Sequence, residues 1–443
     1  MRVHMIKLES RVIRLKLEKI RIDGFKNILD SEIKLDKITS LLSTNSYGKS
    51  NLLEAIDFGF YFLNTTPKNK KQMMKWKPGF PFNKERLMQN FSFEIQCIME
   101  INNKTFDVIF GYSFAWEGLK RKGKIVSEFL KIKDPEESQK HTLFVSRDEE
   151  NSFYKPSVSG RCDKEIKIDE NELIINKLLA YDNLYYFEII KTLNSINIYI
   201  DRHFDSTQSY EFPFISKNDD ELSISENKDI PRVLFFLQKR YPKKYELIIN
   251  TLKDIFPFIE DIKIKEIDLT EENFKTKMLS EDDLFKIAEK MYLLYAKHKN
   301  LITSIRFNEM SDGVRRVLLL LTYLILADIN NYTLIAIEEP ENSINPGLLK
   351  KYIIALDNFV DNTKVLITSH SPFLVNYINP SSLYLGVPNE NGLAIFRKIK
   401  SSSVSKIYDA AEDLNVLIGE YLFDLLSGET DDQELLNKYL ENE

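Results

Sequence analysis

Cysteine is nearly absent: the 443 residues contain only Cys97 and Cys162. One possible pair cannot staple a chain of this length, so a disulfide scaffold is excluded. A cysteine-based zinc site is disfavoured, and a reducing, cytoplasmic setting is expected. Glycine and proline are scarce at 14 each, which excludes a fibrous or low-complexity chain. No run of 18 apolar residues occurs. The longest apolar stretch, Val317 to Ala327, is too short to span a bilayer, so no membrane role is expected. The N-terminal MRVHMIKLESRVIRLKLEKIRI carries charges every few residues and does not read as a signal peptide. Positive charge is not in excess either. With 61 Lys+Arg against 67 Asp+Glu, the net charge of -6 excludes a globally basic nucleic-acid binder and leaves a local basic face open. What is present is the balance of a soluble globular protein, 43% hydrophobic and 29% charged, long enough for two or three folding units.

The order of elements predicts an α/β fold with a split core. Leu15 to Ile22 alternates as a strand, Asp23-Gly24 turns it, and Glu32 to Leu35 returns. Ile38 to Leu42 reads as a buried strand that runs through a short polar loop into a helix over Asn51 to Leu63. Residues 64–90 read as a long lysine-rich loop. Phe91 to Glu100 and Thr105 to Tyr112 read as a hairpin around Asn102-Asn103. Residues 231–256 look helical, and Met291 to Lys297 with Leu301 to Phe307 look like paired strands. The strong pattern resumes with a long helix over Gly313 to Ile329. Then come a strand at Leu334 to Ile337, a helix at Gly347 to Phe359 and a strand at Val365 to Thr368. Two short strands follow, at Leu383 to Leu385 and Ala394 to Phe396. The expected domains are 1–114 and 291–400 as the two halves of the core, 115–290 as a largely helical insertion, and 401–443 as a helical tail. No repeat or sustained heptad is visible.

Four motifs carry chemistry. Ser43-Thr44-Asn45-Ser46-Tyr47-Gly48-Lys49-Ser50 has the spacing of a P-loop, with Ser43 where the first glycine belongs. In such a loop, backbone N–H groups and a helix N-terminus surround phosphates. Lys49 would reach the β- and γ-phosphates of ATP, and Ser50 would hold Mg²⁺. Leu334-Ile335-Ala336-Ile337-Glu338-Glu339-Pro340 is a buried strand ending in two acids. Glu338 would sit near Mg²⁺, directly or through water, and Glu339 would orient or deprotonate the attacking water. Thr368-Ser369-His370-Ser371-Pro372 ends another such strand; His370 is either a γ-phosphate contact or a structural histidine. Met310-Ser311-Asp312-Gly313-Val314-Arg315-Arg316 opens the long helix, with Ser311 either an ordinary N-cap or part of a second phosphate-binding surface.

Taken in order, these motifs resemble the ABC-type ATPases, and among them the branch of SMC proteins, RecF and the OLD-like ATPases. YGKSNLLEAI, MSDGVRR, IEEPENSINP and ITSHSPFLVN are the blocks that carry the resemblance, over about residues 12–60 and 300–385. The resemblance implies ATP and Mg²⁺ as ligands, with Gly48 and Asn51 beside Lys49 and Ser50 in the nucleotide site. It implies a catalytic set of Lys49, Glu339 and His370. It also implies a head-to-tail homo-oligomer in which Ser311 and Gly313 act in trans, with Asn342 to Asn345 as a D-loop crossing the interface. The chain lacks the long coiled coils of SMC proteins, and the 47 residues after Phe396 are too few for the Toprim nuclease of OLD enzymes. What remains resembles the stand-alone ATPases of two-gene anti-phage systems of the Septu, PARIS and RloA types. The chain would then be a sensor whose effector, a nuclease or toxin, is a separate protein. A RecF-like DNA repair ATPase and an ATP-gated scaffold with little turnover are the alternatives.

Residues 61–90 hold Lys68, Lys70, Lys71, Lys75, Lys77, Lys84 and Arg86 against one acid, Glu85. Trp76, Phe80 and Phe82 are interleaved with them. This is either a DNA contact over 68–86 or a solvated loop with its aromatics tucked inward. From Gly419 the chain carries eight acids and one Lys among Leu422, Phe423, Leu425 and Leu426, either a partner-docking helix or a solvated one. Asp201, His203 and Asp205 are the one candidate metal cluster, outside any recognisable motif.

Overall fold

A computed structural model describes residues 14–44, 47–81, 83–118, 121–134, 139–201, 222, 224, 229–268, 290–342, 344–359, 363–387, 391–428 and 430–441. In chain order the N-terminal part holds β1 (Arg14–Asp23), β2 (Ser31–Lys34), β3 (Ile38–Ser43), α1 (Lys49–Asn64) and α2 (Pro67–Met73). These are followed by β4 (Phe91–Ile101), β5 (Lys104–Ala115), β6 (Lys124–Lys133), β7 (Thr142–Arg147), β8 (Ser152–Tyr154) and β9 (Lys164–Glu165). Then come α3 (Ile174–Lys177), α4 (Phe187–Leu193), β10 (Ile198–Asp201), α5 (Ile230–Arg240), α6 (Pro242–Ile255), β11 (Ile259–Asp268), β12 (Lys290–His298) and β13 (Ile305–Arg306). The C-terminal part holds α7 (Asp312–Ile329), β14 (Leu334–Glu338), α8 (Pro346–Phe359), β15 (Lys364–Ser369) and α9 (Pro372–Val375). It ends with β16 (Leu383–Gly386), β17 (Phe396–Lys398), α10 (Val404–Asp413), α11 (Ile418–Ser427) and α12 (Thr430–Tyr439).

The chain divides into two compact units. The first comprises residues 1–200, 332–338 and 362–443; the second comprises 201–331 and 339–361. Two sheets build the first unit. An antiparallel eight-stranded sheet runs β2-β1-β4-β5-β6-β7-β8-β9, and a six-stranded sheet runs β10-β14-β15-β3-β16-β17. In the second sheet β14, β15, β3 and β16 are parallel, so the carboxyl ends of strands more than 300 residues apart share one edge. α1 buries Leu52, Leu53, Ala55, Ile56, Phe58, Phe60, Phe62 and Leu63, far more than one face. A single buried cluster joins α1 to residues of both sheets. A helix covered over most of its surface must be apolar over most of it, so the polar residues Ser50, Glu54, Asp57 and Tyr61 of α1 are confined to one stripe. Gly59 allows the closest approach: a Cβ there would stand 2.2 Å from the Phe93 ring of β4.

The second unit holds α5 to α8 and a three-stranded antiparallel sheet, β11-β12-β13. Tyr245, Ile248 and Leu252 of α6 are buried, as are Val317 to Ala327 of α7. Lys244 pairs with Asp328, and Lys351 Nζ donates to Asp254 O (2.8 Å).

Several expectations need correction. The described residues of 115–290 are not largely helical. β6 to β9 extend the hairpin sheet, and β11 and β12 form a long antiparallel ladder. The signal was there in KIVSEFLKIK, whose buried Ile125, Leu130 and Ile132 lie among polar residues, as a strand with one buried face requires. Because β6 pairs with β5 and β7 to β9 follow it in the same sheet, the first unit runs on past 115 to residue 200. Residues 64–90 are not one long loop: Thr66 caps α2 by accepting from Asn69 N, and Pro67 opens the helix. The region's aromatics are structural. Trp76 stacks on Phe58 (centroids 5.8 Å) and Phe80 lies 5.1 Å from Trp116; Phe82 lies outside the described residues.

Candidate functional site

In the first unit the site grows from the parallel edge. β3 ends in Ser43, which is buried at the strand terminus where the motif lacks its glycine. The serine is accommodated there because its hydroxyl donates to Thr44 O (3.1 Å) and accepts from Lys49 Nζ (3.2 Å). Asn45 lies outside the described residues. Gly48 is the residue the turn demands: its φ is 131°, and a Cβ would stand 2.8 Å from that of Ala394. α1 begins immediately after it, with its N-terminus open toward the loop and no side-chain cap.

Lys49 is 5% exposed, and its ammonium donates to Ser43 O (3.1 Å). It also lies 3.1 Å from His370 Nδ1. An ammonium can only donate, so Nδ1 accepts and the neutral ring carries its proton on Nε2. Ser50 Oγ donates to the Glu338 carboxylate. The register explains this meeting. Glu338 pairs with Thr368 across β14 and β15, Ser369 pairs with Leu42 across β15 and β3, and Ser50 opens the helix that follows β3. The structure therefore brings Ser43, Lys49, Ser50, Glu338 and His370 to one place.

A brace around this loop was not anticipated. Asn51 Nδ2 donates to Asn27 Oδ1 (2.8 Å), and Asn27 Nδ2 donates to Tyr47 O (2.9 Å). Lys26 reaches Asn51 Oδ1 (3.3 Å) and pairs with Glu54. Tyr47 donates to Val387 O (2.5 Å) and packs on Phe396 (centroids 5.5 Å). Burial pushes its hydroxyl pKa up to about 12, so it remains a donor at any ordinary pH. The Asp23-Gly24 turn places Lys26 and Asn27 here; in the sequence it reads only as a turn.

The second unit carries the other motif residues. Glu339 has a φ of 44°, a region non-glycine residues seldom occupy. Its carboxylate accepts from Asn342 Nδ2 (2.8 Å), and its carbonyl accepts from Asn342 N (3.0 Å). Ser311 holds the N-cap backbone position of α7, but its side chain caps nothing, contrary to its reading as an ordinary N-cap. The first turn is instead occupied by an Asp312–Arg315 pair. Ser311, Asp312 and Gly313 line a cleft of about 410 Å³ with Phe256, Ile344, Asn345 and Leu348. One turn further on, Arg316 Nη2 donates to Asp201 Oδ2 (2.7 Å), both residues being buried. Asp201 is thus spent on an ion pair, while His203 and Asp205 lie outside the described residues. Among the described residues no group of three metal-binding side chains occurs.

Residues 44–376 match a family model described as "AAA domain, putative AbiEii toxin, Type IV TA system". The chain belongs to this family. It is a family of P-loop ATPases, so nucleotide binding is its shared property. No curated protein sequence matches the chain. Among solved structures, an SMC head bound to the C-winged helix domain of ScpA is similar at 12% identity, covering 88% of this chain and 99% of that one, with a TM-score of 0.47. The SMC head domain from Thermotoga maritima is similar at 12% identity (87% and 99% covered, TM-score 0.41). The recombination mediator protein RecF of the RecFOR pathway is similar at 12% identity (86% and 98% covered, TM-score 0.36).

The donor set suits the family's ligand. A hydroxyl and a carboxylate, from Ser50 and Glu338, are hard oxygen donors of the kind Mg²⁺ selects. Lys49 is a buried cation that donates to the carbonyls of Ser43 and Thr44, where a phosphate oxygen would be a stronger acceptor. The basic segment 68–86 fits DNA less well. Lys70 is fully buried, donating to Leu63 O (3.4 Å), Thr65 O (2.5 Å) and Asn176 Oδ1 (2.9 Å). Lys75 pairs with Glu117 and Arg86 with Asp23. Lys68, Lys71, Lys77 and Lys84 remain exposed. No described helix is long and apolar enough to cross a membrane.

Proposed function

We propose that the chain hydrolyses ATP and is the regulatory subunit of an assembly whose effector, a nuclease or toxin, is a separate protein, as in two-gene anti-phage systems. The observation that carries the ATPase reading is the meeting of Lys49, Ser50, Glu338 and His370 at the carboxyl edge of the parallel sheet. Bound Mg²⁺–ATP supplies the phosphoanhydride that water cleaves and a metal to neutralise it. Lys49 and the backbone N–H groups at the start of α1 bind the phosphates. Gly48 lets that backbone approach, and Asn51 holds the loop through Asn27. Ser50 and Glu338 hold the metal. Glu339, whose carboxylate accepts from Asn342, would serve as the water-orienting base, and His370 would contact the terminal phosphate. Ser311 and Gly313 act on the nucleotide of a second copy, so the working form is a head-to-tail homo-oligomer. The Ser311 side chain, which does not cap α7 and lines the cleft, supports that role.

The test measures assembly mass and ATP turnover for wild type, Lys49→Ala and Glu339→Gln, with and without ATP. Glu339→Gln should trap ATP in a larger assembly and turn over at least about a hundredfold more slowly. Lys49→Ala should neither bind nor assemble. Wild type that binds no ATP would end the reading. Wild type that binds and assembles without turnover would leave the ATP-gated scaffold in its place.

A further inference from the structure

The C-terminal helices do not present the apolar face that their sequence suggests. Leu422, Leu425 and Leu426 of α11 are buried, and Tyr421 hydrogen-bonds Tyr439 of α12. α11 is instead pressed against α9. A Cβ on Gly419 would stand 1.9 Å from Pro372 O, and Gly419 N donates to Asn376 Oδ1 (2.8 Å). Around this junction lie the apolar side chains that remain outside: Phe373 (42% exposed), Tyr377 (38%), Leu414 (64%) and Leu417 (50%). Leu417 is held at the N-cap of α11, where its N–H donates to Glu420 Oε2 (3.1 Å).

The charge beside this patch has one sign. From Val404 to Ser427 the chain carries Asp409, Glu412, Asp413, Glu420 and Asp424 against a single cation, Lys406. Asp409, Glu412, Asp413 and Asp424 are exposed. Among the described residues none of these four carboxylates has an ion-pair or hydrogen-bond partner. An apolar patch with unpaired carboxylates beside it is complementary to one chemistry, a helix with leucine-like residues on one face and lysine or arginine on its flanks.

We infer that Phe373, Tyr377, Leu414 and Leu417, with the carboxylates of α10 and α11, form the docking surface for a basic amphipathic helix of the partner protein. The inference rests on the reading of the chain as a regulatory subunit. It places the partner on α9, which starts two residues after His370.

The probe is a fluorescein-labelled leucine–lysine peptide patterned as an amphipathic helix, with a scrambled peptide of the same composition as control. Fluorescence anisotropy should show the full chain binding the patterned peptide at least about tenfold more tightly than the scrambled one. Leu417→Ser should remove that preference. Glu412→Lys with Asp413→Lys should weaken binding at least about tenfold and flatten its salt dependence. Both surface variants should still bind a fluorescent ATP analogue like wild type. Equal binding of the two peptides, or unchanged binding by the variants, overturns the inference. So does concentration-dependent self-association in sedimentation that Leu417→Ser abolishes, since the patch would then serve a second copy of this chain. Peptide selectivity that persists in a wild type unable to bind the ATP analogue sinks the nucleotide reading and leaves the docking surface standing.

Discussion

Glu128 lies on β6 with 1% of its surface exposed, and its carboxylate is the N-terminal cap of α3. Oε2 accepts from Ile174 N (2.6 Å) and Oε1 from Ile175 N (3.0 Å); Leu173, the N-cap residue, offers no side-chain bond of its own. Burial raises its pKa from 4.5 to about 7, against the pull of those two N–H groups, Arg147 and Lys70. At roughly 1.4 kcal/mol per pKa unit the full shift corresponds to about 3 kcal/mol. The sign follows from the proton count. Between 4.5 and 7 the folded chain keeps a proton that the unfolded chain releases. Stability from this group is therefore fully present below 4.5 and is lost as pH rises through 7. The useful window stops at pH 7, because burial lowers the pKa of Lys70 to about 8 and that group must stay charged throughout. Glu128→Gln keeps an acceptor and removes the titration. In urea denaturation of both chains, wild type should lose about 2 kcal/mol relative to Glu128→Gln between pH 5 and pH 7. A difference constant to within roughly 0.5 kcal/mol would refute the assignment of a protonated, buried carboxyl.

Two further outcomes follow from packing and charge. Gly59→Ala should destabilise by about 1–3 kcal/mol in the same denaturation assay, because the added methyl meets the buried Phe93 ring at 2.2 Å. A loss below about 0.5 kcal/mol would show that Phe93 can move aside. Arg316→Met should cost about 3–5 kcal/mol by leaving Asp201 buried and unpaired, and adding Asp201→Asn should restore much of it, a coupling that a double-mutant cycle measures directly.

Much of the nucleotide edge was legible in the chain. A buried strand, a polar turn with Gly48 and an apolar helix can hardly fold otherwise. The same holds for LIAIEE and VLITSH, where an apolar run ends abruptly in polar residues. Asn102 and Asn103 both take positive φ (53° and 63°), as the hairpin reading required. These are local facts: period, turn chemistry and the free end of a helix are set by neighbours in sequence. The sequence did not reveal which polar residues would be taken inside. Lys70 reads as one more lysine of a basic run, yet the end of α1 and Asn176 enclose it. Asp201 reads as part of a metal cluster, yet it is held by Arg316, 115 residues away. Leu422 reads as a docking residue, yet α11 buries it, while Leu414 and Leu417 stay outside. Strands β7 to β9 are short and polar, and each was fixed only by the edge of the strand before it, in a series that β6 starts on β5. Local pattern decides where an element begins and which way its side chains alternate. Only tertiary contact decides which charge loses its water, because that depends on groups brought together from distant parts of the chain.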